Sequence, residues 1–362
     1  MIRIVLAWLV LPVVTAFFTP HSRCAFTLRA SENSLDKPKW AGSNDLLSTV
    51  VNALINFKPL FGIMKTAARK TLIDTAENNG IPWRERAQEL LGKQNVLERN
   101  LENLVDRSIE YPSYYTQEFH AYDEGNLNWQ AAVECESATM SMALRVWPED
   151  QLTSFEAQDR LRFSFLDAVR SFLKEKAKIT TDPERILDVG SSVGVSTFYL
   201  ARAFPHTISL VGLDLSPHFL AVALQRQKSQ AEVQALWSLD KLERITWKHS
   251  NMEHSGLSDN EFGLTCSSFM FHELPQKQST LIIREMYRVT KLGGVVAITD
   301  NNPKSPVIQN LPPVLFTLMK STEPHSDEYY PFDIEQALEQ AGFKYVTTFA
   351  SDPRHRTILA VK

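Results

Sequence analysis

The stretch ILDVGSSVG, residues 186–194, decides the fold of this chain. Ile186–Val189 is an apolar segment that contains one acid, Asp188, and the glycines Gly190 and Gly194 bracket the turn that follows. Glycine lets a ligand approach the backbone, and a helix that begins after such a turn presents free N–H groups. This pattern predicts a ligand-binding loop at the carboxyl end of a parallel strand.

Strands and helices alternate after this turn. Apolar segments typical of strands are Ile208–Leu213, Ile245–His249, Leu264–Phe269 and Val295–Thr299. Segments typical of helices are Phe198–Phe204, Phe219–Leu236 and Ser279–Val289. The alternation predicts a parallel sheet that is covered by helices on both faces.

The carboxyl terminus departs from this alternation. A predicted helix at Phe332–Ala341 is followed by two predicted strands, Tyr345–Ala350 and Thr357–Val361. The short connection between the two strands cannot form a parallel crossover, which needs a dozen residues or more. We therefore expect an antiparallel hairpin.

Polar residues follow the strands at the edge where a ligand is expected. Asp214 ends the second strand, where its carboxylate can bind a ribose diol, and Asn251 and Met252 follow the third, where they can meet an adenine edge. Ser267 lies at the end of the fourth strand. The spacing favours a cofactor that contains a nucleoside.

The motif from Asp188 to Gly194 resembles the first motif of class I S-adenosylmethionine-dependent methyltransferases, an acid followed by a glycine-rich turn. Ser192 stands where that family usually has its middle glycine. The resemblance covers residues 182–362 and is closest to the small-molecule, type 11-like branch, which includes the ubiquinone and menaquinone C-methyltransferases. It implies a Rossmann-like α/β fold with a seven-stranded sheet and a terminal antiparallel hairpin, and S-adenosylmethionine as the cofactor.

The resemblance also implies roles for individual residues. Gly190 and Gly194 would cradle the methionine end of the cofactor, and Asp188 would set the loop. The ribose hydroxyls would bind Asp214. The other implied cofactor-binding residues are Ser192 in the loop, Leu215, Asn251 and Met252 around the adenine, and Ser267 beside the methionine moiety.

Two other functions are compatible with such a turn. A nicotinamide-dependent oxidoreductase would also have glycines and an acid, but its G-x-G-x-x-G pattern requires glycine at the positions of Ser192 and Val195. A non-catalytic protein that keeps the fold is the second alternative. Identification of the bound cofactor would separate the three.

Four residues are candidates for catalysis at the acceptor. His272 follows the fourth strand, and its unperturbed pKa of about 6.5 suits a base if the acceptor must lose a proton. The alternative is that His272 orders its loop. Asp300 ends the fifth strand and is expected either to bind an acceptor hydroxyl or to cap the loop.

Tyr114 and His120 are the other two candidates. They lie in the segment Tyr111–Trp129, which is rich in aromatic residues and has no helical period. Such a segment suits a lid over an apolar ring. The alternative is that its aromatic side chains join an amino-terminal helical extension to the core.

The amino terminus has the features of a targeting sequence. Met1–Arg3 is positive, Ile4–Val14 is an apolar run, and Phe17–Ala30 contains Arg, Ser and Thr but no acid. The combination resembles the bipartite plastid presequences of algae with complex plastids. We therefore expect a plastid protein, with the secretory pathway as the alternative.

The domain boundaries follow from these features. We expect a presequence at 1–31, a linker at 32–44, a helical extension with the lid at 45–180, and the cofactor-binding domain at 181–362.

Composition excludes several classes of protein. The 362 residues carry a net charge of −4, and the three arginines of the first 31 residues are counted in that sum, so the rest is more acidic still. Nucleic acid is therefore not an expected partner.

The three separated cysteines form no C-x-x-C pair, so neither a disulfide framework nor a structural zinc site is expected, and the sequence assigns no metal ligands. The expected partner is a small-molecule acceptor. Peripheral contact with a membrane is compatible with the sequence, which does not specify the oligomeric state.

Overall fold

The computed structural model describes residues 58–120, 122–229, 242–311 and 323–362. The presequence and linker predicted at 1–44 lie outside the described residues.

In the described part of the chain, seven strands form one mixed sheet. They are β1 (Arg185–Val189), β2 (Ser209–Asp214), β3 (Ile245–His249), β4 (Phe262–Ser268), β5 (Thr290–Asn301), β6 (Lys344–Ala350) and β7 (His355–Val361). The order is β3-β2-β1-β4-β5-β7-β6. Strands β1 to β5 are parallel, and β7 is antiparallel to both β5 and β6. The predicted fold class, including the terminal hairpin, is confirmed.

The helices fall into two groups. Those before the sheet are α1 (Lys58–Asn78), α2 (Trp83–Leu91), α3 (Gln94–Leu104), α4 (Trp129–Leu144) and α5 (Ser154–Glu175). Those between and after the strands are α6 (Val195–Ala203), α7 (Pro217–Lys228), α8 (Gln276–Val289), α9 (Pro306–Gln309), α10 (Ser326–Tyr329) and α11 (Ile334–Ala341). Part of the helix predicted to reach Leu236 falls in 230–241, outside the described residues.

The sheet is buried on both faces. In β1, the neighbouring residues Ile186 and Leu187 are both fully buried but belong to different hydrophobic clusters, because successive side chains of a strand point to opposite faces. Helix α5 packs Phe165 and Val169 into the cluster that contains Ile186. The extension is therefore part of the core that covers the sheet.

The extension contains a helix break that apolar spacing alone does not predict. Leu90 and Leu97 are seven residues apart, a spacing typical of one helical face, but α2 ends at Leu91 and α3 begins at Gln94. Gly92 lies at the break and caps α2 by donating its N–H to the carbonyl of Gln88. Glycine is a poor helix former, so the helix ends there despite the continuous apolar spacing.

Among the described residues, no helix has both the length and the apolar character that crossing a bilayer requires.

Burial in the sheet predicts the effect of a matched pair of substitutions. Leu264 in β4 is fully buried, whereas Leu292 in β5 is 77% exposed. Leu264→Ala should lower the free energy of unfolding by about 2–5 kcal/mol, because it removes apolar contacts and leaves a cavity. Leu292→Ala removes the same atoms at the surface and should change it by less than about 0.5 kcal/mol. Urea denaturation measures both, and equal losses would contradict this description of the core.

Candidate active site

The loop after β1 requires glycine where the sequence has it. Gly190 has φ +70°, and a Cβ atom built there would lie 2.6 Å from Sδ of Met270. Ser192 also adopts a left-handed conformation, with φ +51°. Such a conformation is uncommon for a residue with a side chain, so the serine keeps the backbone of the usual glycine at some conformational cost.

Asp214 connects this loop to the loop after β2. Its Oδ2 accepts a hydrogen bond from the N–H of Ser192 at 2.8 Å, and its Oδ1 accepts one from the N–H of Ser216, also at 2.8 Å. Burial raises the pKa of Asp214 to about 6, and the two N–H groups partly offset this effect. The carboxylate thus fixes the two loops that a nucleoside would contact.

Asp188 anchors the helix that begins after the loop. Its Oδ2 accepts hydrogen bonds from the hydroxyls of Ser196 and Thr197 in α6, each at 2.6 Å. Burial raises the pKa of Asp188 to about 6, although these two hydroxyls lower it in part. Its Oδ1 is buried without a hydrogen-bond partner.

The residues predicted at the adenine end lie beside Asp214. The carbonyl of Leu215 accepts a hydrogen bond from Nε2 of His249 at 3.1 Å, since Nδ1 of that ring accepts the N–H of Asp106. Asn251 is half-buried and uses Oδ1 to cap its own turn, whereas Met252 is buried in the core. Their contact with adenine remains a prediction.

Several buried polar atoms near the loop lack partners, and this fits the methionine end of S-adenosylmethionine. Ser267 Oγ and Asp188 Oδ1 are two of them, and Nε of Arg162 in α5 is another. The side chain of Gln158, one helical turn before Arg162, is also buried without a partner. The charge of Arg162 lowers the pKa of Asp188, which places the two groups near each other. A guanidinium beside a carboxylate suits a ligand that has both a carboxylate and an ammonium group.

Sequence reasoning missed Gln158 and Arg162. They continue the buried stripe of α5 that includes Leu161 and Phe165, at the spacing of one helical face. The signal in the sequence was a polar residue on an otherwise apolar helical face. Buried polar groups normally have a hydrogen-bond partner, so such a residue indicates a polar contact or a ligand.

His272 and Asp300 are brought together at the same edge of the sheet. Nδ1 of His272 lies 2.8 Å from Oδ1 of Asp300, and the His272 N–H donates to Oδ2 at 3.2 Å. Burial lowers the pKa of His272, but the Asp300 carboxylate outweighs it and raises the pKa to about 10. The ring therefore holds its proton at neutral pH, which disfavours a role as general base and agrees with loop ordering.

His120 lies at this edge as well. One donor atom of each of the residues His120, His272 and Glu273 lies within 4.8 Å of the others. Nε2 of His120 is 3.6 Å from Oε1 of Glu323. Burial raises the pKa of Glu273, whereas the contact with His120 outweighs burial at Glu323 and lowers its pKa.

The aromatic segment packs across the ends of β2 and β3. The Tyr114 hydroxyl donates to Oε1 of Glu253 at 2.8 Å, and the Tyr111 hydroxyl lies 3.3 Å from Nε2 of His249. The rings of Tyr111 and Tyr115 stack with centroids 6.3 Å apart. Burial, together with the charges of Asp214 and Glu273, raises the pKa of Tyr115 well above its usual range.

The two candidate residues of this segment therefore occupy different surroundings. Tyr114 packs against the hydrophobic core, which agrees with a joining role. His120 is 39% exposed at its side chain and faces His272 and Glu323, at the position expected for an acceptor. Tyr115, which the sequence did not single out, is the tyrosine beside Asp214.

Comparison with known families agrees with this geometry. Residues 187–298 match the family described as a methyltransferase domain. This part of the chain is therefore similar to methyltransferase domains. The match includes the loop after β1, Asp214 and the His272 turn, and the predicted cofactor, S-adenosylmethionine, is confirmed.

Relatives cover part of the chain. An uncharacterized methyltransferase of Synechocystis sp. is 29% identical over 45% of this chain and 68% of its own length. A demethylmenaquinone methyltransferase of Lactiplantibacillus plantarum is 29% identical over 34% of this chain and 48% of its own length. Among solved structures, phosphoethanolamine N-methyltransferase 2 of Haemonchus contortus with S-adenosyl-L-methionine aligns at 17% identity with a TM-score of 0.38, over 62% of this chain and 60% of that one. The chain thus spans about half the length of the quinone-type relative.

The surroundings of Asp214 predict a pH dependence of cofactor binding. With a pKa of about 6, Asp214 is about one-tenth ionised at pH 5 and about nine-tenths at pH 7. Only the carboxylate accepts hydrogen bonds with both oxygens, so affinity for S-adenosylhomocysteine should rise by up to about tenfold over this range. Calorimetry at several pH values measures it.

Asp214→Asn is the control for this dependence. Its affinity should be at least about tenfold weaker at neutral pH, because a charge-assisted hydrogen bond is lost. It should vary less with pH than that of the wild type, since Asp188, with a pKa of about 6, is the carboxyl of the loop that still titrates. An unchanged affinity in this variant would refute the role of Asp214.

Proposed function

We propose that this chain is an S-adenosylmethionine-dependent methyltransferase that acts on a small apolar or aromatic acceptor. The acceptor belongs to the quinone, pigment or lipid-like class, for example a molecule with a hydroxylated ring. The observation that carries the proposal is the aromatic group that Tyr115 forms with Tyr111 and Tyr114. Tyr115 lies near enough to the carboxylates of Asp214 and Glu273 for their charges to raise its pKa, so this group adjoins both the cofactor loop and the His272 edge.

The aromatic rings of this segment favour a planar acceptor. Tyr111 and Tyr115 are parallel, with an interplanar angle of 10°, and Tyr114 meets Tyr115 edge to face. Stacked and edge-to-face arrangements are the geometries in which aromatic rings attract one another. The similarity to demethylmenaquinone methyltransferases supports the same class of acceptor.

The contribution of the protein to such a reaction is mainly positioning. When bound, S-adenosylmethionine supplies an activated methyl group on its sulfonium. Asp214 and the loop after β1 would fix the nucleoside end, while the segment Tyr111–Trp129 would hold the acceptor and exclude water. Correct placement of two reactants accounts for a large part of the rate in such transfers. A proton released by the acceptor would leave towards the carboxylates at the His272 edge.

The acceptor is identified by product analysis. The full chain is incubated with S-adenosylmethionine labelled in its methyl group and a lipid extract from plastid-bearing cells, and the labelled product is identified by mass spectrometry. We expect label in a ring-containing lipid. Native mass spectrometry of the purified chain distinguishes the alternatives, since a bound nicotinamide would indicate an oxidoreductase and cofactor binding without any transfer would indicate a non-catalytic protein.

A matched pair of tyrosine variants tests the aromatic wall. Tyr115→Ala should lower acceptor-dependent turnover at least about tenfold, because the ring that orients the acceptor is lost. Tyr345 is 68% exposed in β6, so Tyr345→Ala should leave turnover unchanged. Equal turnover in both variants would remove the support for an aromatic acceptor.

The same proposal places the protein in a plastid, on the strength of the composition of residues 1–31. Residues 1–40 fused to a fluorescent protein should enter the plastid in a host with complex plastids. The Phe17→Ala fusion should stay in the endoplasmic reticulum, because the aromatic residue at the junction is missing. Microscopy measures both, and secretion of the unmutated fusion would indicate the secretory alternative.

A further inference from the structure

The group of donor atoms around His272 has the composition of a metal site. His120 and His272 offer imidazole nitrogens, and Glu273 offers carboxylate oxygens, all within 4.8 Å of one another. Glu323 adds a second carboxylate, 3.6 Å from Nε2 of His120. A site made of two imidazoles and carboxylates binds divalent transition metals such as Zn²⁺ in preference to Mg²⁺.

A second observation concerns the orientation of His272. Asp300 is fully buried, and its Oδ1 lies 2.8 Å from Nδ1 of the ring, which leaves Nε2 as the nitrogen that can bind a metal ion once it has lost its proton. The same carboxylate is fixed in turn by the N–H groups of His272 and Asn301. A histidine held through its other nitrogen by a buried carboxylate is the arrangement that orients metal-binding imidazoles.

The backbone at His120 is unusual. His120 has φ +49°, a conformation that is uncommon outside glycine and that occurs often at ligand-binding sites. Three carboxylates, those of Glu273, Asp300 and Glu323, stand beside the two imidazoles, with Arg145 near Glu323 and Arg356 near Asp300 as positive charges. Because a metal ligand must be deprotonated, binding of a divalent cation here should release a proton.

We propose that His120, His272 and Glu273, with Glu323 as a fourth ligand, bind one divalent transition-metal ion at the acceptor edge of the sheet. Ligand atoms around Zn²⁺ lie about 3.4 Å apart in a tetrahedral site, so the donors would close in by up to about 1.4 Å on binding. His120 is on an exposed loop, which gives the ion a path from solvent. The ion would bind an oxygen of a hydroxylated acceptor, and this last step rests on the proposed function.

Metal titration of the full chain tests the site without any acceptor. After dialysis against a chelator, the wild type should bind one Zn²⁺ per chain in a competition assay, and one Co²⁺ with a visible absorption band. Mg²⁺ should bind at least a hundredfold more weakly. His120→Ala and Glu273→Gln should each weaken Zn²⁺ binding at least tenfold, and Asp300→Asn should weaken it about 10–100-fold, because it orients a ligand without touching the ion.

The control is His206→Ala, which removes an exposed histidine elsewhere and should bind Zn²⁺ as the wild type does. Affinity for S-adenosylhomocysteine verifies that each variant is folded. His120 is exposed, so His120→Ala is expected to fold. It therefore tests the site even if Asp300→Asn fails to fold. A wild type that binds S-adenosylhomocysteine but no stoichiometric Zn²⁺ overturns the proposal, and so does wild-type Zn²⁺ affinity in both His120→Ala and Glu273→Gln.

The role of the ion at the acceptor is tested separately. Methyl transfer to a hydroxylated acceptor should fall after chelation and return with Zn²⁺ or Co²⁺. Transfer that is equally fast without metal overturns that role but leaves the titration result in place. Absence of transfer under all conditions counts against the proposed function and the acceptor role, while the titration alone decides the metal site.

Discussion

The carboxylate of Asp214 is the constraint on which the cofactor site depends. Its two oxygens accept N–H groups from two different loops, those that carry Ser192 and Ser216. A buried carboxylate is costly unless its oxygens are hydrogen-bonded, so the two loops must stay close to it. The pKa of about 6 indicates that the two bonds offset only part of the cost of burial. A ligand with two adjacent hydroxyls can donate further hydrogen bonds to this carboxylate and so reduce the remaining free-energy cost of its burial.

The helical extension completes the domain. Cys135 in α4 contacts Ser192 in the cofactor loop, Arg162 in α5 lies near Asp188, and Asn126 accepts the hydroxyl of Ser216 on its carbonyl. These contacts bring polar groups of the amino-terminal half to the carboxyl edge of the sheet. Cofactor binding and packing of the extension are therefore physically coupled, because the same loop takes part in both.

Local patterns of the sequence were sufficient for the sheet. Alternating strands and helices, and the short connection before His355, are decided by neighbouring residues. The structure places six strands within two residues of their predicted bounds, whereas β5 begins five residues before its predicted start. The break at Gly92 was missed because apolar spacing does not register a single poor helix former. Helix α4 was not singled out because it is rich in small residues such as Ala131 and Ala143, and is buried without one clear stripe.

The site was predictable only where it follows the strands. Asp188, Asp214, His272 and Asp300 were found because parallel strands end at one edge. Residues brought there by tertiary packing, among them Tyr115 and Arg162, carry no local signal of their destination beyond a polar or aromatic group in an unusual place. The residues that surround them in space are tens of positions away from them in the sequence.

Cys135 gives the coupling between extension and loop an intrinsic reporter. Its Sγ lies 3.2 Å from the hydroxyl of Ser192, and burial raises the pKa of the thiol. A buried, protonated thiol reacts slowly with alkylating reagents, since the thiolate is the nucleophile. The alkylation rate of this cysteine therefore measures how often α4 separates from the cofactor loop. A ligand that holds the loop in place should lower that rate.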